Sequence, residues 1–142
     1  MAHEEQQLFC MSVRQQFPQY FSNRKVLDCG SLDINGNNRI LFDHCLYTGI
    51  DVGLGRNVNI VCPTHEFMDK DGFDVIISTE CFEHDMYYEQ SLQRIVYLLR
   101  LVASSYLLVL QPVASHMELS QVLQKIHHSQ LRFQNGNLTI KT

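Results

Sequence analysis

The chain has 142 residues, a formal net charge of -4 and 45% hydrophobic residues, which is typical of one globular domain rather than a disordered segment. It has no cluster of Lys and Arg with interleaved aromatic residues, so we do not expect a nucleic-acid partner. The longest apolar run, residues 98–110, includes Arg100 and is shorter than the roughly 20 apolar residues of a membrane span. The 5 cysteines form no C-x-x-C pair and follow no signal peptide, which predicts reduced thiols in a cytoplasmic protein.

The first half of the chain predicts one helix followed by three strands. Apolar residues at helical spacing predict the helix, which Pro18 ends, and short apolar runs bounded by turn residues predict the strands. A polar loop over Ser31–Asn38 follows the first strand, and Asn38 or a neighbour is expected to cap a short helix through Phe42. The expected elements are a helix over His3–Phe17 and strands over Lys25–Cys29, Leu46–Asp51 and Val58–Cys62, with a turn over Gly53–Asn57 before the last strand.

The second half predicts two further strands, two helices and a terminal hairpin. The almost wholly apolar run Phe73–Ser78 is typical of a central strand covered on both faces, and Ser105–Leu110 forms a similar strand. Helical spacing marks Tyr88–Leu101 and His116–Ser129. Asn135-Gly136 lies between two alternating runs and predicts an antiparallel hairpin. We therefore expect a single α/β domain over residues 1–142, with a mostly parallel sheet, helices on both faces and a short C-terminal antiparallel hairpin.

Glycines and carboxylates stand at the ends of the first two strands, where open α/β sheets bind their ligands. Gly30 follows the first strand, and Asp51 ends the second strand about twenty residues later, where a carboxylate can accept two hydrogen bonds from a ribose diol. Leu32 occupies the second glycine position of the G-x-G-x-x-G pattern, so the loop is unsuited to a pyrophosphate and an NAD-binding domain is disfavoured. Asp28 is expected either to orient the loop amides, to face the cationic end of a ligand, or to have a structural role.

The residues after the third strand are candidates for the environment of a ligand's base. Thr64, His65 and Glu66 follow Cys62 and a proline, and in this fold they would lie beside the base. The Cys62, His65 and Glu66 grouping lacks a fourth metal ligand, so no metal site is expected.

The residues after the central strand are candidates for the reacting centre. Glu83 or His84 is a candidate general base, and Cys81 is a candidate nucleophile. In the alternative interpretation Glu83 and His84 cap the following helix, while Phe82 packs on the ligand or the core. The sequence alone leaves these alternatives open.

Three motifs in order resemble the class I S-adenosylmethionine-dependent methyltransferases, in particular the type 11 methyltransferase domain. The first motif reads VLDCGSLDINGN, the second YTGIDVG and the fourth FDVIISTECFEH. The match covers about residues 24–100, the cofactor-binding core, and leaves 101–142 as a divergent, shortened C-terminal part. The resemblance implies a Rossmann-like sheet that binds S-adenosyl-L-methionine across its carboxyl edge.

The resemblance also implies cofactor-binding roles for individual residues. Gly30 and its neighbours would line the methionine moiety, Asp51 the ribose, and Thr64 and His65 the adenine, while residues 80–82 would face the sulfonium. The expected cofactor-binding residues are Asp28, Gly30, Ser31, Asp51, Val52, Thr64, His65, Glu80, Cys81 and Phe82.

The chain departs from the family's pattern at three places. Ser31-Leu32 replaces the family's x-Gly, Cys62-Pro63-Thr64 stands where Gly-Asp-Ala is common, and residues 101–105 replace a Pro-Gly-Gly turn. The implied activity is methyl transfer to a small-molecule or side-chain acceptor, with no catalytic residue assigned because direct transfer can depend on proximity and alignment. The alternative is a cofactor-binding module without activity that serves as a partner subunit. An oligomer is also compatible with the amphipathic first helix.

Overall fold

A seven-stranded sheet forms the centre of the molecule. The structure is a computed structural model that describes residues 4–34, 36–79, 85–101, 106–110, 131–134 and 137–141. Within these residues the helices are α1 (Glu4–Gln16) and α2 (Tyr88–Arg100), and the strands are β1 (Lys25–Cys29), β2 (Leu46–Asp51), β3 (Ile60–Val61), β4 (Val75–Ser78), β5 (Leu107–Leu110), β6 (Leu131–Gln134) and β7 (Asn137–Lys141).

The strand order is β3-β2-β1-β4-β5-β7-β6. The first five strands in this order pair in parallel, and β7 lies antiparallel between β5 and β6. The predicted mostly parallel α/β sheet is therefore confirmed, and the carboxyl ends of β1 to β4 share one edge. The predicted helix over His116–Ser129 and the Asn135-Gly136 turn lie outside the described residues. Within the described part of the chain, no helix is long and apolar enough to cross a membrane.

Helices cover both faces of the sheet, as predicted. Successive residues of a strand point to opposite sides, so each central strand contributes to two apolar layers. Each large buried side chain in these layers contributes roughly 1.5–3 kcal/mol. The layer under α1 contains Phe9, Cys10, Val13, Val26, Val75, Ile77, Leu107 and Val109, and the layer under α2 contains Leu27, Cys29, Ile76, Leu92, Ile95, Leu99, Leu108 and Leu110.

The third strand is shorter than predicted, because β3 has only the two residues Ile60–Val61. Asn57 adopts a positive φ of 69° and Val58 bonds back to the carbonyl of Gly55 at 3.3 Å. The chain is therefore still turning where the apolar pattern predicted a strand. Both strand residues are exposed at the edge of the sheet.

The short helix before Phe42 is a single 3-10 turn over Arg39–Leu41. The Oδ1 atom of Asn37 accepts the Arg39 amide at 2.9 Å, whereas Asn38 makes no side-chain cap bond. The neighbour, rather than Asn38, therefore holds the start of this turn.

Candidate functional site

An open cleft of about 620 Å³ lies at the carboxyl ends of β1, β2 and β3. Pockets for small ligands have volumes of roughly 300–1,000 Å³, so the cleft suits a nucleoside-sized molecule. Five of the residues that the sequence predicts to bind a cofactor line it, and these are Gly30, Asp51, Val52, Thr64 and His65. Their ligand contacts stay predictions.

Several lining residues were given no ligand role by the sequence patterns. Leu32 and Ile34 come from the loop after β1, and Asp85, Met86 and Tyr87 come from the segment before α2. The signal that could have found them is their place in loops that leave the carboxyl edge of the sheet. Met86 is 83% exposed although it is apolar, so its side chain is available to a ligand.

The Asp51 carboxylate is held in place by two backbone amides. Its Oδ2 atom accepts the Leu32 amide at 3.1 Å, and its Oδ1 atom accepts the Gly53 amide at 2.9 Å. An ionised carboxylate has about four acceptor positions, so two remain for hydroxyl groups of a ligand. The side chain is thus oriented before any ligand arrives.

Four consecutive amides of the loop after β1 are already hydrogen-bonded inside the protein. The amides of Gly30 and Ser31 both donate to the carbonyl oxygen of Ile50, at 2.9 and 3.0 Å. The next two amides donate to Asp51 Oδ2 at 3.1 Å and to the carbonyl oxygen of Arg56 at 2.9 Å. A phosphate-binding loop needs amides that point at the ligand, so this loop is built for a ligand without a pyrophosphate.

Asp28 lies in the layer under α1 rather than among the residues that line the cleft. It is buried, and its Oδ2 atom accepts a 2.5 Å hydrogen bond from the Tyr47 hydroxyl. Burial raises the pKa of Asp28 to about 6, although the Tyr47 bond opposes this shift. The four loop amides donate to Ile50, Asp51 and Arg56 and not to Asp28, so of the three expected roles the structural one describes these contacts best.

Ser31 is buried and packs against β2 instead of lining the cleft. Its Oγ atom has no hydrogen-bond partner among the described residues. A Cβ placed on Gly49 would come within 2.5 Å of that Oγ and 2.2 Å of the Asn57 carbonyl oxygen. Gly49 is therefore needed for the close approach of this loop to β2.

His65 and Tyr87 form an aromatic pair on the wall of the cleft. Their ring centroids lie 4.6 Å apart with the planes tilted by 35°. The Nδ1 atom of His65 is buried without a hydrogen-bond partner among the described residues. This wall offers a stacking surface to a heterocyclic ligand.

The predicted cofactor-binding residues Glu80, Cys81 and Phe82, together with Glu83 and His84, lie outside the described residues. Their roles as base, nucleophile or cap therefore stay predictions. Residues 4–79, with position 35 excepted, and 85–110, with 102–105 excepted, contain no group of three His, Cys, Asp or Glu side chains arranged to hold a metal ion.

Neither the comparison with protein-family models nor the comparison with curated proteins gives a match. Solved structures do match. The structure of a 1,6-didemethyltoxoflavin-N1-methyltransferase from Burkholderia thailandensis, with 1,6-didemethyltoxoflavin and S-adenosylhomocysteine bound, aligns with a TM-score of 0.60 at 15% identity, over 99% of this chain and 90% of that one.

Two other structures have a similar relation to this chain. One is an S-adenosylmethionine-dependent methyltransferase assigned as putative in Methanococcus maripaludis, with a TM-score of 0.69 at 13% identity over 95% of this chain and 83% of that one. The other is the N-methyltransferase NodS from Bradyrhizobium japonicum, with a TM-score of 0.63 at 16% identity over 94% of this chain and 95% of that one. At such identities the likeness defines the fold, which is that of the class I S-adenosylmethionine-dependent methyltransferases.

Proposed function

We propose that this protein is an S-adenosyl-L-methionine-dependent methyltransferase that acts on a small molecule or a side chain not yet identified. The observation that carries the proposal is the preoriented carboxylate of Asp51 at the mouth of the cleft. It lies in a fold whose solved relatives include complexes with S-adenosylhomocysteine and with S-adenosylmethionine. A carboxylate at this position can accept both hydroxyl groups of a ribose.

The chemistry of the cleft supports an adenosyl-sulfur ligand over a dinucleotide. The amides of residues 30–33 already donate to protein acceptors, so they are not available to a pyrophosphate. The charged side chains that line the described part of the cleft are carboxylates, from Asp51, Glu66 and Asp85, with no Lys or Arg beside them. Such a wall attracts a sulfonium cation and repels a dianionic pyrophosphate.

S-adenosylmethionine bound in the cleft would supply a methyl group: the acceptor nucleophile would form a bond to the methyl carbon as the sulfur–carbon bond breaks, S-adenosylhomocysteine would leave, and a neutral acceptor would lose its proton to solvent. The described residues contribute to this reaction by binding and alignment. Asp51 would fix the ribose, and the His65–Tyr87 wall would fix the base. Holding the two reactants in line can supply most of the rate enhancement.

A cytoplasmic location is part of the proposal. Cys10, Cys29, Cys45 and Cys62 are free thiols, which is the usual state of cysteine in a reducing compartment.

Calorimetric titration of the purified chain tests the cofactor assignment. We expect S-adenosylmethionine and S-adenosylhomocysteine to bind and NAD not to bind. Because hydrogen bonds to a charged group contribute about 1.5–3 kcal/mol, Asp51→Ala should weaken binding by roughly 10- to 100-fold. Asp71→Asn removes an exposed carboxylate in the turn before β4 and serves as the matched control, with unchanged affinity.

Failure of both adenosyl-sulfur compounds to bind, or equal binding by the Asp51 variant, would contradict the assignment. Methyl transfer is tested separately with methyl-labelled S-adenosylmethionine and a panel of amines, phenols and peptides. Labelled product from any acceptor supports the activity. Binding without product on the whole panel would contradict the methyl-transfer part of the proposal and favour a cofactor-binding module.

A further inference from the structure

Asn57 joins the loop after β1 to the loop between β2 and β3. Its Nδ2 atom donates to the carbonyl oxygen of Ser31 at 2.9 Å, and its Oδ1 atom accepts from Nε of Arg39 at 2.7 Å. The two partners stand at opposite ends of the loop that forms one wall of the cleft. One side chain therefore holds both ends of that wall.

Arg39 extends this connection to β2. Its Nη2 atom donates to Asn59 Oδ1 at 3.0 Å, and the same oxygen accepts the Gly49 amide at 2.8 Å. The guanidinium lies over the Tyr47 ring with 4.3 Å between Cζ and the ring centroid. The rigid fork of an arginine is well suited to two such bonds at once.

Side chains also fix the interior of the same loop. The Asp33 carboxylate accepts the Gly36 amide through Oδ1 and the Asn37 Nδ2 group through Oδ2, both at 2.8 Å. The Oδ1 atom of Asn37 in turn accepts the Arg39 amide at 2.9 Å. Side-chain hydrogen bonds thus shape a loop that has a leucine at the position of the second fingerprint glycine.

The loop after β1, which these side-chain bonds hold, is connected to the proposed ribose-binding carboxylate. The Leu32 amide donates to Asp51 Oδ2 at 3.1 Å, and Leu32 and Ile34 line the cleft. If the ends of the loop were released, this amide and the apolar wall would have to be ordered again when a ligand binds. A lower population of the binding-competent form weakens the apparent affinity in proportion.

We propose that Asn57 and Arg39 are positioning residues for cofactor binding, because they hold residues 30–34 and 36–39 and, through Leu32, Asp51 in the geometry that accepts the ligand. They act without being among the residues that line the cleft. The inference rests on the proposed function, since it concerns the affinity for S-adenosylhomocysteine at the same cleft.

The decisive variant is Asn57→Gly. Glycine adopts the φ of 69° at this position without strain, so the substitution removes both side-chain bonds while the turn is preserved. Asn23→Gly is the matched control, because Asn23 also has a positive φ, of 55°, but precedes β1 at the opposite edge of the sheet from the cleft. Arg39→Lys is the conservative second variant, since it keeps the charge and leaves the Ser31 bond intact.

The measurements are the calorimetric Kd of S-adenosylhomocysteine, the thermal midpoint of the ligand-free protein and its backbone amide spectrum. We expect Asn57→Gly to raise the Kd about tenfold, Arg39→Lys to raise it less, and Asn23→Gly to leave it unchanged. In Asn57→Gly the ligand-free amide resonances of Leu32 and Gly53, the two donors to Asp51, should shift, whereas Asn23→Gly should leave them in place. A cooperative thermal transition in each variant shows that the fold is retained.

Several outcomes would overturn the inference. Unchanged Kd values for both Asn57→Gly and Arg39→Lys, or a change equal to that in Asn23→Gly, would show that the hydrogen bonds of Asn57 and Arg39 do not position the site. Unshifted amides of Leu32 and Gly53 would do the same without any ligand. If the unmodified protein does not bind S-adenosylhomocysteine, the proposed function fails, and the amide shifts alone then decide whether Asn57 orients Asp51.

Discussion

The buried carboxyl of Asp28 makes the stability of the protein depend on pH in a direction opposite to that of most carboxylates. Asp28 is 4% exposed. The polar groups that act on it include Cys10 on α1, Tyr47 on β2, Arg39 on the 3-10 turn and the carboxylate of Asp51 at the end of β2. Burial raises its pKa from 3.8 to about 6. Burial, together with the charge of Asp28, also raises the pKa of the Cys10 thiol to about 12, so Cys10 stays protonated across the range considered.

The magnitude follows from the difference between the unfolded and the folded pKa of Asp28. The pKa rises from 3.8 unfolded to about 6 folded, and a tenfold change in the protonation equilibrium corresponds to roughly 1.4 kcal/mol. Because the folded pKa is raised, the folded state binds more protons than the unfolded state between pH 4 and pH 6. The contribution of Asp28 to stability therefore falls by about 3 kcal/mol as pH rises through that window.

The test compares the unmodified protein with Asp28→Asn by urea denaturation from pH 4.5 to pH 8. Asparagine is neutral at every pH, and its Oδ1 atom can still accept the Tyr47 hydroxyl. The difference in the free energy of unfolding should therefore move by roughly 2–3 kcal/mol in favour of Asp28→Asn as pH rises. Asp71→Asn, which removes an exposed carboxylate, is the matched control.

The slope of this difference is the decisive quantity, because any fixed cost of burying the amide is the same at every pH. A flat difference between Asp28→Asn and the unmodified protein would refute the reasoning. A difference that moves in favour of the unmodified protein at high pH would mean that the ionised carboxylate has a partner that outweighs its burial.

Two other predictions concern the packing and the accessibility of the cleft. Gly49→Ala should destabilise the protein by about 3 kcal/mol or more, because the new Cβ would lie 2.2 Å from the Asn57 carbonyl oxygen. The control Gly53→Ala should cost far less, because its Cβ meets nothing closer than 3.6 Å. Equal chemical denaturation midpoints for the two variants would contradict this packing. Cys62 lines the cleft and Cys45 does not, so S-adenosylhomocysteine should slow alkylation of Cys62 and not that of Cys45. Mass spectrometry that finds equal protection of these two thiols, or of neither, would contradict this expectation.

Local patterns predicted the interior of the sheet well. The bounds of β1 and β2 agree with the predicted Lys25–Cys29 and Leu46–Asp51, because each run is followed by a turn, marked by Gly30 after β1 and by Gly53 after β2. The prediction of β3 was wrong in length, because an edge strand buries little and its apolar residues continue into a turn. Its true bounds depend on the positive φ of Asn57, which the apolar pattern does not encode.

The site was predictable where it depends on backbone position and not where it depends on side-chain direction. Gly30 and Asp51 were placed from strand ends alone, and both line the cleft. Asp28 lies inside β1 and shares a face of the sheet with Val26, because residues two apart in a strand point to the same side. Its side chain therefore lies in the layer under α1, where it bonds to Tyr47, and not in the cleft beyond the strand end. The Asn57–Arg39 contact joins residues 18 positions apart, so it follows only from the folded structure.

The central claim is that an adenosyl-sulfur compound binds across the carboxyl edge of β1, β2 and β3. Backbone amide shift mapping during titration with S-adenosylhomocysteine tests it most directly, because it reports the location of binding as well as its strength. The account predicts the largest shifts at three places that are distant in sequence, residues 30–32, 51–52 and 64–65. Shifts confined to another surface, or no shifts at a millimolar ligand concentration, would contradict it.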